Sequence, residues 1–295
     1  PAEIAVMAGS HSGEDLHVRT IQNALRRAFL TQALLQCGSD GVPLDPLTSA
    51  RLARDGEKAG PIRHSCSGQH VAALLLCKLG GWDMTGYWLP THPAQEAILD
   101  AQARAFGTER RRLRLATDSC GLPTFVATLV EVARAYALLA NPAAFMGVGT
   151  AAADPRASVA PALALVRDAM LAHPDMVGGA RDRIDTSLMK AVPGRVVSKA
   201  GDEGLCAVAL LPGPASGGTR SSATGVALKI EDGGANRRAG WAALSETLVQ
   251  VGLLDVHGLR ALGRYHRPGE HDEEGRVVSE AVAGFDLVPV GELLP

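Results

Sequence analysis

Arg195-Val-Val-Ser-Lys199-Ala-Gly201-Asp-Glu-Gly204-Leu-Cys206-Ala-Val-Ala-Leu-Leu211 is the stretch whose reading decides the fold class. Two apolar runs, 195–199 and 204–211, flank a turn of Gly, Asp and Glu, and a third run follows at 223–230. Strands that succeed one another this quickly are expected to be antiparallel neighbours. Upstream the apolar positions recur at helical spacing. The pattern predicts helices from Asp15 to Cys37, stopped by Gly38, over 48–55, from Val71 to Leu79, and from Pro93 to Phe106. Further helices are expected over 158–172, 182–190 and 236–252. The strongest helical pattern opens at Asp118-Ser-Cys-Gly-Leu-Pro-Thr124 and runs to about Leu139. At the front, Glu3-Ile-Ala-Val-Met-Ala8 reads as a buried strand over 3–9 that ends at Gly9-Ser10-His11. The expectation is therefore α+β, a helical region of about 15–190 against an antiparallel sheet from strands of about 1–10 and 195–230, in one domain spanning 1–295.

Composition narrows the function classes. The chain has 295 residues, 46% of them apolar, which suffices for a sizeable core. With 29 basic and 31 acidic side chains it carries a net charge of −2, and no basic block marks a nucleic-acid binder. No uninterrupted apolar run is long enough to suggest a membrane span. Five scattered cysteines are an odd number, unlike a disulfide framework, so a reducing, cytoplasmic location is expected. No signal peptide is visible, but Pro1 leads directly into the first apolar run, as if the chain were entered partway through a fold.

Ser10 follows an apolar run and a glycine, where a hydroxyl can project into a cleft; it can equally cap a helix with help from Glu14. A serine needs a base to be a nucleophile. Lys199, one of only five lysines, lies between two apolar strands, where it is either desolvated and lowered in pKa or snorkels outward. Lys199-Ala-Gly201 beside a serine is the arrangement of acyl-transfer enzymes with the penicillin-recognising fold. The literal Ser-x-x-Lys of that chemistry, Ser187-Leu-Met-Lys190, sits too close to Lys199 to supply the first catalytic helix and reads as a decoy. Cys66 and Cys120 each open an expected helix, where the macrodipole favours thiolate; together they are zinc ligands or buried structural thiols. The other three cysteines read as core. His11 and His70 either polarise a substrate carbonyl or cap. Arg110–Arg114 reads as a solvated loop.

Taken in order, these segments resemble the serine-lysine L-asparaginases of the Rhizobium etli type, the asparaginase II family. The resemblance is carried by Glu3-Ile-Ala-Val-Met-Ala-Gly-Ser-His-Ser-Gly-Glu14, His64-Ser-Cys-Ser-Gly-Gln-His70, Thr117-Asp-Ser-Cys-Gly-Leu-Pro-Thr124 and Met176-Val-Gly-Gly-Ala-Arg181. Pro193-Gly-Arg-Val-Val-Ser-Lys-Ala-Gly-Asp-Glu-Gly204 and Ala227-Leu-Lys-Ile-Glu-Asp-Gly233 complete it. It implies a β-lactamase-like fold, hydrolysis of L-asparagine to aspartate and ammonia, and pairing into a homodimer. Ser10 and Lys199 would be the family's second catalytic serine and distal lysine. His11, His70, Asp118, Arg181 and Gly201 would bind substrate. Cys66 and Cys120 would be the thiolates of a Cys-Lys-Cys zinc site whose third position is Gln69 here, a weaker, neutral donor. Ser119 replaces a glycine, and the family's Ser-x-x-Lys helix would lie upstream of Pro1. The expected chemistry is attack of a lysine-activated serine on a side-chain amide, with backbone donors holding the oxyanion. The rival readings are a degenerate homologue that only binds a small molecule, and a penicillin-recognising peptidase.

Overall fold

The computed structural model describes residues 1–38, 42–146, 154–213, 222–233 and 237–289. The chain opens with helix α1 (Ala2–Ala8), followed by α2 (Asp15–Arg27), α3 (Pro46–Asp55), α4 (Ser67–Gly80) and α5 (Pro93–Phe106). A hairpin of β1 (Arg114–Thr117) and β2 (Pro123–Val126) precedes α6 (Leu129–Ala140), α7 (Ala160–Ala172), the single turn α8 (Pro174–Val177) and α9 (Ile184–Ala191). Strands β3 (Val196–Ala200), β4 (Leu205–Leu210) and β5 (Thr224–Lys229) form one antiparallel sheet in that order, with Lys199 opposite Ala207. Helices α10 (Arg237–Gln250) and α11 (Val256–Leu262) and a small hairpin, β6 (Gly269–His271) with β7 (Val277–Glu280), complete the described chain. Helices and antiparallel sheets make this an α+β protein, as the sequence predicts. The expected onset of α10 at 236, and residues 39–41 of the loop after Gly38, lie outside the described residues.

Local chemistry explains several boundaries. Pro93 takes the first turn of α5, the His92 ring accepts the Ala94 N–H, and Gly107 closes the helix in the left-handed region. Helix α6 starts where Thr128 and Glu131 form a reciprocal capping box.

Two expectations are corrected. Residues 3–9 are not a strand but belong to α1 and its cap, because an unbroken apolar run cannot by itself separate a buried strand from a buried helix. Three alanines among seven residues favour the helix, and Ala5 and Val6 are fully buried. The sheet therefore contains no strand from the front of the chain. Second, the Asp118–Thr124 segment does not open a helix. It is the loop and second strand of the β1–β2 hairpin, and the helix waits for the Thr128 cap.

Two buried clusters hold the molecule. One joins the sheet to α6, α7, α9 and α10; the other joins α1, α2 and α4. Leu188, Leu210, Leu244 and Leu248 are buried to 1% exposure or less, worth about 2 kcal/mol each in transfer free energy. No helix among the described residues is long and apolar enough to cross a membrane.

Candidate active site

Ser10 sits just past the C-terminus of α1, where Gly9 lets the chain press against α8. A Cβ on Gly9 would lie 2.5 Å from the Val177 carbonyl oxygen. The Ser10 N–H donates to that same oxygen at 2.9 Å. The backbone before the hydroxyl is thus fixed by the 176–177 segment, and after it by the His11 N–H, which donates to the Ser65 carbonyl at 3.1 Å.

Lys199 approaches from β3. Its Nζ lies 2.8 Å from Ser10 Oγ and donates to the Ala200 carbonyl at 2.7 Å. Lys199 as a whole is half-buried, and protein surrounds its ammonium. Burial lowers the lysine pKa, the Asp185 carboxylate opposes that, and the Arg183 guanidinium reinforces it. Ser10 and the residues that follow Lys199, Ala200 and Gly201, border a cavity of about 290 Å³ whose wall also includes Ser65, Arg183, Asp185 and Trp241. That is room for a metabolite of amino-acid size.

Of the remaining sequence candidates, Arg181 and Gly201 are on this wall, whereas His11, His70 and Asp118 are not. Arg181 is already engaged. Its Nε and Nη2 donate to the two oxygens of Asp45, each at 2.7 Å, and Nη2 lies 3.5 Å from Glu14. This Arg holds the Asp45 carboxyl down at about 2. His11 is fully buried behind Ser10; it accepts the Gly13 N–H and meets Ser67 Oγ at 2.9 Å. His70 is fully buried against the Tyr87 hydroxyl at 2.6 Å, and burial lowers its pKa to about 4. The N–H groups of Ser10, His11 and Gly201 are each committed to a main-chain carbonyl, so none of these supplies the expected oxyanion donor. In the Ser187–Lys190 motif, the Lys190 ammonium is spent on a surface pair with Asp175.

The two cysteines do come together, from different local structures. Cys66 is the N-cap residue of α4, as expected, but Cys120 lies in the β1–β2 loop, so only Cys66 gains from a helix N-terminus. Asp118 joins them: one ligand atom from each of Cys66, Asp118 and Cys120 lies within 4.8 Å of the others. The neighbouring Cys120 thiol draws the Cys66 thiol down against its burial, and the Cys120 thiol is pushed up in turn. Two sulfurs and a carboxylate are a donor set that suits a divalent ion such as zinc. Gln69 Oε1, the expected third donor, is buried without a hydrogen-bond partner. Ser119 is not in the left-handed region, so the serine is accommodated there without strain. Cys37 and Cys206, by contrast, are pushed up to about 12 by burial, as befits inert core thiols.

Asp185 escaped the sequence reading, although a signal was present. It stands among Ile184, Leu188 and Met189 on the buried face of α9, where an apolar residue would be expected. Arg183, Ser65 and Asp45 carried no comparable signal.

Comparison with curated proteins gives no match. The family model for L-asparaginase II matches residues 1–283, and the chain belongs to that family.

Proposed function

We propose that the chain is an amidohydrolase that converts the side-chain amide of L-asparagine to L-aspartate and ammonia, with Ser10 as nucleophile and Lys199 as its base. One observation carries this reading: an enclosed lysine amine 2.8 Å from a serine hydroxyl at the wall of a small cavity. Burial favours the neutral amine, which can take the Ser10 proton as Oγ attacks the amide carbon. The tetrahedral adduct collapses as the Lys199 ammonium returns that proton to the departing nitrogen, releasing ammonia and leaving an ester on Ser10. Water, deprotonated by the same amine, hydrolyses the ester and frees the acid. A β-lactamase-like arrangement belongs to the same reading, since β3 is an edge strand and carries the base and the Lys199-Ala-Gly201 run. Cys66, Asp118 and Cys120 would hold a divalent cation, which when bound would neutralise the thiolate and act as a Lewis acid toward a neighbouring oxygen.

Ammonia release from L-asparagine tests the reading. Ser10→Ala and Lys199→Met are each expected to lower kcat by about a thousandfold or more, and the double variant no further, because the two act as a unit. A Ser10→Ala protein that releases ammonia at the unaltered rate overturns it. Saturable binding of L-asparagine without any release would instead favour a non-catalytic binding protein.

A further inference from the structure

Asp185 is 1% exposed and stands on α9, yet both of its nearest hydrogen-bond donors belong to β3. Ser198 Oγ and the Ala200 N–H each donate to the same oxygen, Oδ1, at 2.8 Å. These two residues flank Lys199. Strand geometry sharpens the point. Gly201 donates to Leu205 across the β3–β4 ladder, so by alternation the Ala200 N–H faces the open edge of β3, where it would otherwise lack a strand partner. The second oxygen, Oδ2, is buried without a hydrogen bond, and the Arg183 guanidinium stands 3.9 Å away.

We infer that Asp185 is the positioning residue of the Ser10–Lys199 pair, fixing residues 198–200 in the one placement that presents Nζ to Ser10 Oγ. The inference rests on the catalytic reading of that pair. Holding the strand would require only a neutral acceptor, and burying an ionised carboxylate is costly unless its charge is used. The charge has an object. The groups that face the Lys199 amine are Asp185 from α9, Arg183 just before it, Cys66 at the start of α4 and Asp202 in the β3–β4 turn. Among them Asp185 is the largest influence opposing desolvation. Without it the amine would be a weaker base toward the Ser10 proton. Asp185 therefore acts on Lys199 through the strand backbone and through the electrostatic field, without an ion pair between the two side chains.

The test uses the full chain with ¹³C-labelled lysine, of which it has five, the Lys199 signal being assigned by its loss in Lys199→Met. Asp185→Asn keeps an acceptor for Ser198 and Ala200 but removes the charge. It is expected to lower the Lys199 titration midpoint by about one pH unit or more, and Asp185→Glu to restore much of it. The acid limb of kcat/KM for L-asparagine should move to lower pH by the same interval, with kcat down about tenfold and KM within about twofold. A Lys199 midpoint unchanged in Asp185→Asn overturns the inference. Should that variant fail to fold, Ser198→Ala reads the tether alone: a fall in kcat of about threefold or more at constant KM supports it, and an unchanged kcat overturns it. The titration needs no turnover. A shifted Lys199 midpoint alongside ammonia release indifferent to Ser10→Ala would overturn the catalytic reading while leaving the positioning of Lys199 intact.

Discussion

The imidazoles of His11 and His17 stack in the interior with their centroids 4.8 Å apart and their planes 19° from parallel. Both rings are built to be neutral. In each, Nδ1 accepts a backbone N–H, from Gly13 and from Glu14 respectively. Nε2 is then the protonated nitrogen, donating to Ser67 Oγ at 2.9 Å in His11 and to the Asp175 carbonyl at 2.8 Å in His17. A second proton on either ring would face an N–H and a neighbouring imidazole.

Acid destabilisation follows from this. Burial lowers His17 to about 4, and burial together with the His17 ring takes His11 well below its usual value. Between the ordinary pKa of 6.5 and about 4, the unfolded chain therefore binds protons that the folded chain refuses. Stability is at its full value above 6.5 and falls as the pH drops toward 4, by about 3 kcal/mol from His17 alone. Glu14, raised by burial, works in the opposite sense and offsets part of this loss. Ring titration by NMR should place His17 near 4, and urea unfolding should weaken between pH 7 and 5. A His17 ring that titrates at its ordinary value would refute the account.

The Asp45–Arg181 pair gives a second prediction. Asp45 caps α3 through the Thr48 N–H and is 1% exposed, with Arg181 as its counter-ion. Arg181→Ala leaves a buried carboxylate half-satisfied and should cost about 2–3 kcal/mol, below the figure for a fully enclosed pair because the Arg181 side chain is 44% exposed. Chemical denaturation checks this. A change under about 0.5 kcal/mol, with KM for L-asparagine raised, would make Arg181 a substrate ligand instead.

The thiol cluster is expected to bind one divalent ion with thiophilic character. Elemental analysis after equilibration with zinc should find about one ion per chain, and Cys66→Ala or Asp118→Ala should lose it. Equal metal content in wild type and Cys66→Ala would leave Cys66 and Cys120 as structural thiols.

Gly68 offers a packing test. A Cβ there would come within 2.2 Å of the Val6 carbonyl oxygen, where α4 crosses α1. Gly68→Ala should destabilise by about 3 kcal/mol or more, since the obstacle is backbone and cannot rotate aside. An alanine variant with an unshifted denaturation midpoint would mean that the crossing is looser than described.

What could be read from sequence was what depends on neighbours along the chain. The Pro93–Phe106 helix and the strands around Lys199 were legible because caps, periodicity and turn residues lie within a few positions of the elements they define. Helix α1 was not, since Ile4, Val6 and Met7 suit a strand as well as a helix and only packing chooses between them. The β1–β2 hairpin was hidden by the helical pattern that follows it. At the site, Ser10 and Lys199 could be nominated individually, from a glycine-bounded serine and a lysine among apolar residues. Asp185, in contrast, gains its meaning only when α9 docks beside β3. Likewise Arg181 read as free to bind substrate, because Asp45 lies 136 residues away.

Helix α1 has a consequence for how the protein is made. Its partners include α7 and α8, and Ser10, just past its end, meets Lys199 across 189 residues. A ribosome delivers α1 well before α7, α8 and β3, so its buried residues Ala5 and Val6 must wait while the intervening polypeptide is synthesised. Closing so long a loop is a slow, late event. Helix α1 is thus enclosed long after it emerges, and until then it is an adhesive segment for chaperones to shield.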